Sequence, residues 1–288
     1  MSALFAVFQK ELSDHFTSWR FIILFVIVFA VSVFAIYIDA QYIRQSVSAS
    51  QFVFLQLYTT SGQALPLFIF FIAFFMPIVG ITLGFDAINS ERSGGTLSRI
   101  LSQPIYRDTV INGKFLAGVA TMSVMLTSII LLVAGLGLRI IGVPPSSEEA
   151  IRLLVFLIMS IVYGSFWLGL SILFSILFRR VATSALASIA LWMFFIALFV
   201  FPFFVQQLGQ AGLNIMLISP ITLFWQIINM LLNPSARLLG QAIQVPSPLS
   251  LDQSLLLVWP HLASIIALTV VCFAASYVKF MREEIRSA

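Results

Sequence analysis

The chain has little of what a water-soluble protein needs. Only 9% of its 288 residues are charged, against 60% hydrophobic and 14% aromatic, with 29 Phe. That balance excludes a solvated surface and indicates a chain whose solvent is lipid, where each crossing takes about 20 apolar residues. One cysteine, Cys272, excludes an intrachain disulfide and a cysteine-based metal cluster. A phosphate-cradling loop is also missing. The only Gly-Lys pair, Gly113-Lys114, is followed by Phe115 and lacks both an upstream glycine and the hydroxyl that would hold magnesium. Any ATP-driven role must therefore take its nucleotide site from another polypeptide.

Further chemistry is excluded by what the long uncharged blocks lack. They contain no Asp, Glu, Lys or Arg, and His261, beside Trp259 and Pro260, is their one ionisable residue. Ion-coupled transport usually leaves a carboxylate or a cation among the spans. The serines and threonines of the blocks have no neighbouring base to activate them and read as helix-packing residues. The nine Met residues are scattered, which argues against a copper path. No catalytic, cofactor-binding or metal-binding set is expected.

What is present is a set of six predicted spans, over 21–38, 65–85, 115–138, 153–178, 181–205 and 255–278. The fold class is all-α polytopic, a single transmembrane domain over 1–288. The first block is too long for a signal-peptide core and lacks a small-residue cleavage site, so it reads as a retained span. Residues 45–63 read as a polar, Ser-rich external segment. The adjacent Arg179 and Arg180 interrupt an otherwise apolar stretch and require a tight turn, because an arginine at the bilayer centre costs about 3 kcal/mol.

With the N-terminus cytoplasmic, the inside segments hold Lys10, Arg20, Arg92, Arg99, Arg107, Lys114, Arg179, Arg180, Lys279, Arg282 and Arg286, and the outside ones Arg44, Arg139, Arg152 and Arg237. This bias predicts cytoplasmic termini in a bacterial or archaeal inner membrane.

Three segments outside the spans carry information. Over 2–19, Phe5, Phe8, Leu12, Phe16 and Trp19 recur at helical steps, with Lys10 and Asp14 between them, predicting an amphipathic interfacial helix in contact with lipid. The stretch 206–252 is apolar but broken by prolines, and predicts short helices on or dipping into the outer leaflet. Helical spacing within it runs over 213–232, and the alternative reading makes it span the membrane, giving eight helices.

The third segment, 86–114, reads DAINSERSGGTLSRILSQPIYRDTVINGK. It continues the second span, breaks at Gly94-Gly95, restarts with Thr96 as a cap, and ends a short helix at Pro104. Leu97, Ile100 and Leu101 would form the apolar face of that helix, with Ser98 and Arg99 opposite, and Asp108 would cap the next helix. The product is a small knob suited to a groove on a soluble partner. A plain basic connection would leave these breaks unexplained.

These residues resemble the ABC-2-type exporter permeases. The resemblance rests on Glu91, Gly95-Thr96-Leu97, Leu101, Pro104, Arg107 and Gly113-Lys114, with Lys10-Glu11 in the first helix. A second match is Ser219-Pro220 followed by Phe224, Gln226 and Asn229. Within that family the chain looks most like the branch that includes a permease of copper-enzyme (nitrous oxide reductase) maturation.

The resemblance implies a permease of two such subunits, identical or homologous, above two ATPase subunits that carry ATP and magnesium, with no nucleic-acid partner. It makes the segment of Glu91, Gly94, Gly95, Thr96, Leu97, Ile100, Leu101, Pro104 and Arg107 the coupling element. It implies ATP-driven export, and it leaves a second function open, a non-transporting anchor or signal transmitter driven by the same ATPase. It carries no substrate with it. The dimer seam is expected at span one, span five or the small-residue face of span four.

Overall fold

The computed structural model describes residues 3–45, 54–55, 58, 67–97, 102, 106–142, 144–232 and 250–282. Among these, every regular element is a helix: α1 (Ala3–Thr17), α2 (Trp19–Gln45), α3 (Leu67–Gly84), α4 (Asn89–Ser93), α5 (Arg107–Ile141), α6 (Ser147–Leu177), α7 (Val181–Val200), α8 (Pro202–Gln207), α9 (Gly209–Ile218), α10 (Pro220–Leu232) and α11 (Leu251–Arg282). Six stretches are long and apolar enough to cross a bilayer, Trp19–Asp39, Phe68–Ser93, Arg107–Ile140, Ser147–Leu177, Val181–Val200 and Leu251–Arg282. The turn between the fourth and fifth falls at exposed Arg179 and Arg180, because an all-apolar hairpin needs its charges at the water surface.

The bundle is built around α6, whose membrane window is the most buried of the six. Its small residues let other backbones approach closely. A Cβ on Gly80 of α3 would lie 2.7 Å from the carbonyl of Gly164, and one on Gly164 would meet the Met76 and Met122 side chains. Tyr163, fully buried, donates to the Ala73 carbonyl at 3.1 Å. The small-residue face of the fourth span is therefore occupied within the chain and is not free to form a seam between subunits. By contrast α2, α7 and α11 bury only a minor part of their windows, leaving apolar faces for lipid or another subunit.

We call the end of the bundle that holds α1, α4 and the start of α5 the loop end, and the opposite one the far end. The helices after α7 correct the sequence expectation of one helical stretch over 213–232. That stretch breaks at Ser219, where α9 and α10 meet at 60°. Pro220 opens α10 because its missing N–H costs nothing in a first turn. Phe224 stacks on Tyr163, ring centroids 4.1 Å apart and planes 4° apart, while the Leu231 carbonyl accepts from Arg152 at 2.7 Å. On α6 those two residues lie about 16 Å apart along the axis, so α10 runs antiparallel to α6, from depth toward the far end. α7 ends at the far end, and α8 and α9 link it to α10. Among the described residues six helices, or seven if the bent pair α9–α10 counts as one span, are long and apolar enough to cross, so the reading with eight spans is not met there.

A second correction concerns the stretch read as a polar external segment. Phe54, Leu55 and Tyr58 are fully buried, and the Tyr58 ring meets Phe68 edge-on at 5.2 Å.

Candidate functional site

At the loop end, α3 stops at Gly84 and the chain turns through Phe85–Ile88 before α4. The break is held open from outside: the Ser175 hydroxyl of α6 accepts from the amides of Ile88 at 2.9 Å and Asn89 at 3.1 Å. Two backbone groups freed by the break are thereby satisfied in a buried setting. α4 then ends at Gly94, whose N–H returns to the Ser90 carbonyl at 2.9 Å, followed by Gly95 at φ +67°. That angle favours glycine, and a Cβ there would meet nothing within 4 Å. The Gly-Gly break expected from sequence is thus a left-handed turn standing clear of the bundle.

Beyond the break Thr96 and Leu97 are helical again, and the Thr96 hydroxyl donates back to the Glu91 carbonyl at 3.2 Å. Leu97 was placed on an outward apolar face but is 1% exposed and packs in the chain's own core. What the loop offers to water here is Ser93, Gly94, Gly95 and Thr96. Ile100, Leu101 and Pro104 lie outside the described residues, as do Ser98 and Arg99. Arg107 opens α5 after the extended Tyr106, and Asp108, expected as a cap, sits instead in the first turn, where its carboxylate accepts from the Thr109 amide at 2.8 Å and favours the positive end of the helix dipole.

The centre of the site is a set of charges that the spacing of the sequence does not bring together. α1 lies against α5 at Gly113, where a Cβ would be 2.7 Å from Cγ1 of Val7. This close approach sets Glu11, the one buried residue of α1, beside Lys114. Lys114 Nζ is 2.9 Å from Oε1 of Glu11 and 2.7 Å from Oε1 of Glu91, and its side chain is only 5% exposed. Lys10 closes the set, with Nζ 2.8 Å from Glu11, 3.0 Å from Asp14 and 3.7 Å from Glu91. Three elements, α1, α4 and α5, are thus joined through side chains alone.

Burial works against ionisation of Glu11, yet the Lys114 charge beside it and the hydrogen bonds from both lysines outweigh it and hold its carboxyl below the ordinary 4.5. Burial likewise acts to lower Lys10, and its bonds to Glu11 and Asp14 raise it overall. His15, on the same helix, is depressed below 6.5 by burial despite the acids nearby. Arg20, at the start of α2, pairs with Asp86 and lies over the Phe85 ring at 5.5 Å.

The remaining face of α1 behaves as its periodicity requires. Phe5 and Phe16 are exposed and Phe8 and Leu12 half-buried; Trp19, the first residue of α2, is 76% exposed. The aromatic side turns outward while the charged side docks.

At the far end, Arg152 was expected to be a surface charge and is instead fully buried. Its guanidinium donates to the Leu231 carbonyl at 2.7 Å, to the Ser254 hydroxyl at 3.1 Å and to Glu148 at 2.7 Å, tying α6, α10 and α11 together. Glu149 completes a capping box with Ser146 and accepts from the amides of Phe54 and Leu55 at 2.9 and 3.2 Å. Of the α10 residues singled out in the sequence, Pro220 and Phe224 are buried, and Gln226 and Asn229 are half-buried, with the Asn229 amide donating to the Trp225 carbonyl. The first span also runs further than its uncharged block. It brings in Asp39, a fully buried carboxylate with no hydrogen-bond partner, against the expectation of no acid among the spans.

Comparison with known proteins agrees with this geometry. The family model described as ABC-2 family transporter protein matches residues 5–285. A curated relative, a probable ABC transporter permease protein, NosY, of Pseudomonas aeruginosa, is 33% identical over 132 residues, which is 44% of this chain and 46% of that protein. The chain thus matches about half the length of that relative. The family match runs through the described bundle and includes α1, the charged loop and the bent pair α9–α10, so the chain belongs to the ABC-2 family of transporter proteins.

Proposed function

We propose that this chain is the permease subunit of an ATP-driven exporter in a bacterial or archaeal cytoplasmic membrane, its loop end and both termini facing the cytoplasm. Two such subunits work above two ATPase subunits that hold ATP and magnesium, and this chain hydrolyses nothing itself.

One observation supports the coupling role most directly, the junction of Glu11, Glu91 and Lys114. It fastens the loop to α1 and to α5, so that a partner pressing on the exposed turn at Gly94 and Gly95 displaces three elements together. Glu91, Gly95, Thr96 and Arg107 act in this reading as the frame of the contact, and buried Leu97 anchors it from within. Since α6 is enclosed by its own chain, the second subunit meets this one through α2 or α7.

Reconstitution tests the reading. The purified chain is expected to lack ATPase activity alone and to be isolated with an ATPase when the two are produced together. With Cys272 replaced, a cysteine at exposed Ser93 should crosslink to that ATPase, and Gly95→Val should preserve assembly while uncoupling hydrolysis from export. Saturable ATP binding by the isolated chain, or a Ser93 cysteine that labels only from the outside of intact cells, would overturn it.

A further inference from the structure

The junction encloses an open cavity of about 280 Å³ at the membrane surface of the loop end. Its lining includes two apolar side chains of spanning helices, Phe21 in the first turn of α2 and Leu83 at the end of α3. Its walls are charged. Lys10, Arg20 and Lys114 face Glu11, Asp14, Asp86 and Glu91 across it, leaving the lining one negative charge in excess while His15 is held neutral by burial.

Two features show that the walls are not complete in themselves. Glu91 spends one carboxylate oxygen on the lysines, but the other, Oε2, is buried without a hydrogen-bond partner. An ionised oxygen so placed calls for an N–H donor. On the other side Lys10 and Arg20 keep more than half of their side chains exposed, at 53% and 61%, although each already has an acidic partner. The cavity is therefore lined by Glu91, whose second oxygen lies shut in without a donor, and by a basic rim that can accept an anion. The aromatic face of α1, with Phe5 and Phe16 exposed, sets the whole arrangement at the depth of lipid headgroups.

We propose that this cavity binds a phosphoethanolamine headgroup of a membrane phospholipid, the ammonium directed to the Asp14 and Glu91 carboxylates, the latter turning to offer its unpaired oxygen, and the phosphate to Lys10 and Arg20. The lipid then bridges α1 to the loop, and its acyl chains leave past Phe21 into the bilayer. A choline headgroup fits the charge but has no N–H for Glu91, and a glycerol headgroup adds a negative net charge to a lining already negative. Selectivity for the primary ammonium follows from these two mismatches. The inference does not depend on an ATPase docking to the loop.

The test uses the full chain in nanodiscs of equal parts phosphatidylethanolamine, phosphatidylcholine and phosphatidylglycerol. After detergent extraction, the lipid retained per chain is counted by native mass spectrometry. Phosphatidylethanolamine should be retained about tenfold over the other two, the effect of one charge-assisted hydrogen bond. Asp14→Asn and Glu91→Gln should each remove about that preference. Asp14 is exposed and its substitution leaves the fold intact, which melting of the variant confirms. Equal retention of the three lipids, or an unchanged preference in Asp14→Asn, would overturn the proposal. Soluble phosphoethanolamine should fail to displace the lipid, and complete displacement would show a site for a free phosphoester and refute the membrane source.

Discussion

At the far end one guanidinium with none of its side chain exposed holds three helices through a carbonyl, a hydroxyl and a carboxylate, whereas at the loop end several partly exposed charges hold three elements by facing one another. The difference lies in what can be exchanged. Arg152 cannot leave the Leu231 carbonyl without stranding a polar group in an apolar setting. Lys10, within reach of Glu11, Asp14 and Glu91 and half exposed, can trade one partner for another at little cost. The far end is a fixed joint and the loop end an adjustable one. That distribution suits the proposed drive from the loop end.

The largest expected effect comes from breaking the fixed joint. Arg152→Met leaves the Leu231 carbonyl and the Ser254 hydroxyl without their donor, and should cost about 3 kcal/mol. A thermal melt in detergent should show a clear fall, with proteolysis opening first between α9 and α10. An unchanged midpoint would place the two ends on equal terms and void the comparison.

Next is Lys114→Met, which leaves Glu11 and Glu91 facing each other with only Lys10 near. It should cost about 2 kcal/mol, and Glu11→Gln on that background should restore much of the loss. Lys10→Met, at an exposed position, should cost below about 1 kcal/mol. If the two lysines prove equal, burial does not separate them as argued.

Gly95→Val should cost about 1 kcal/mol, through left-handed backbone strain and not through contact, since nothing lies within 4 Å of the added Cβ. Limited proteolysis of the loop should quicken while the melting midpoint hardly moves. Gly95→Asn, which tolerates that angle, should stay close to wild type, and equal damage from both variants would assign the effect to something other than φ.

The smallest effect is on pH. His15 is held below 6.5, so an undocked α1 takes up a proton that the docked helix rejects, and docking weakens as the pH falls through 6.5. Glu11, held below 4.5, contributes fully above that pH and loses its contribution as the pH falls further. The protection factors of the α1 amides, corrected for the intrinsic rate at each pH, should therefore fall on acidification in two steps, while those of α10 stay constant. Stronger protection of α1 in acid would contradict both shifts.

Much of the bundle was legible because its signals are local. Six apolar blocks, the Arg179-Arg180 turn and the glycine break are each written within a few residues of where they act. The periodicity of α1 was also readable, but not that its buried residue is an acid, because the partner that makes this tolerable lies a hundred positions away at Lys114. Arg152 was read as a solvated charge for the same reason, its acceptor being a backbone carbonyl on α10. Leu97 was assigned to a partner's groove because spacing shows which residues share an apolar face and not whether that face meets a partner or the chain's own core. The direction of α10 rests on the Phe224–Tyr163 stack and the Arg152–Leu231 bond, pairings that sequence spacing does not reveal.

The interruption between α3 and α4 has a mechanical side. A continuous helix transmits a push along its own axis, and a free break absorbs it. Here the break is stapled by the Ser175 hydroxyl, so it does neither. A sideways displacement of α4 pulls on α6 through two amide bonds, and the second span works as a crank whose throw is delivered to the central shaft of the bundle.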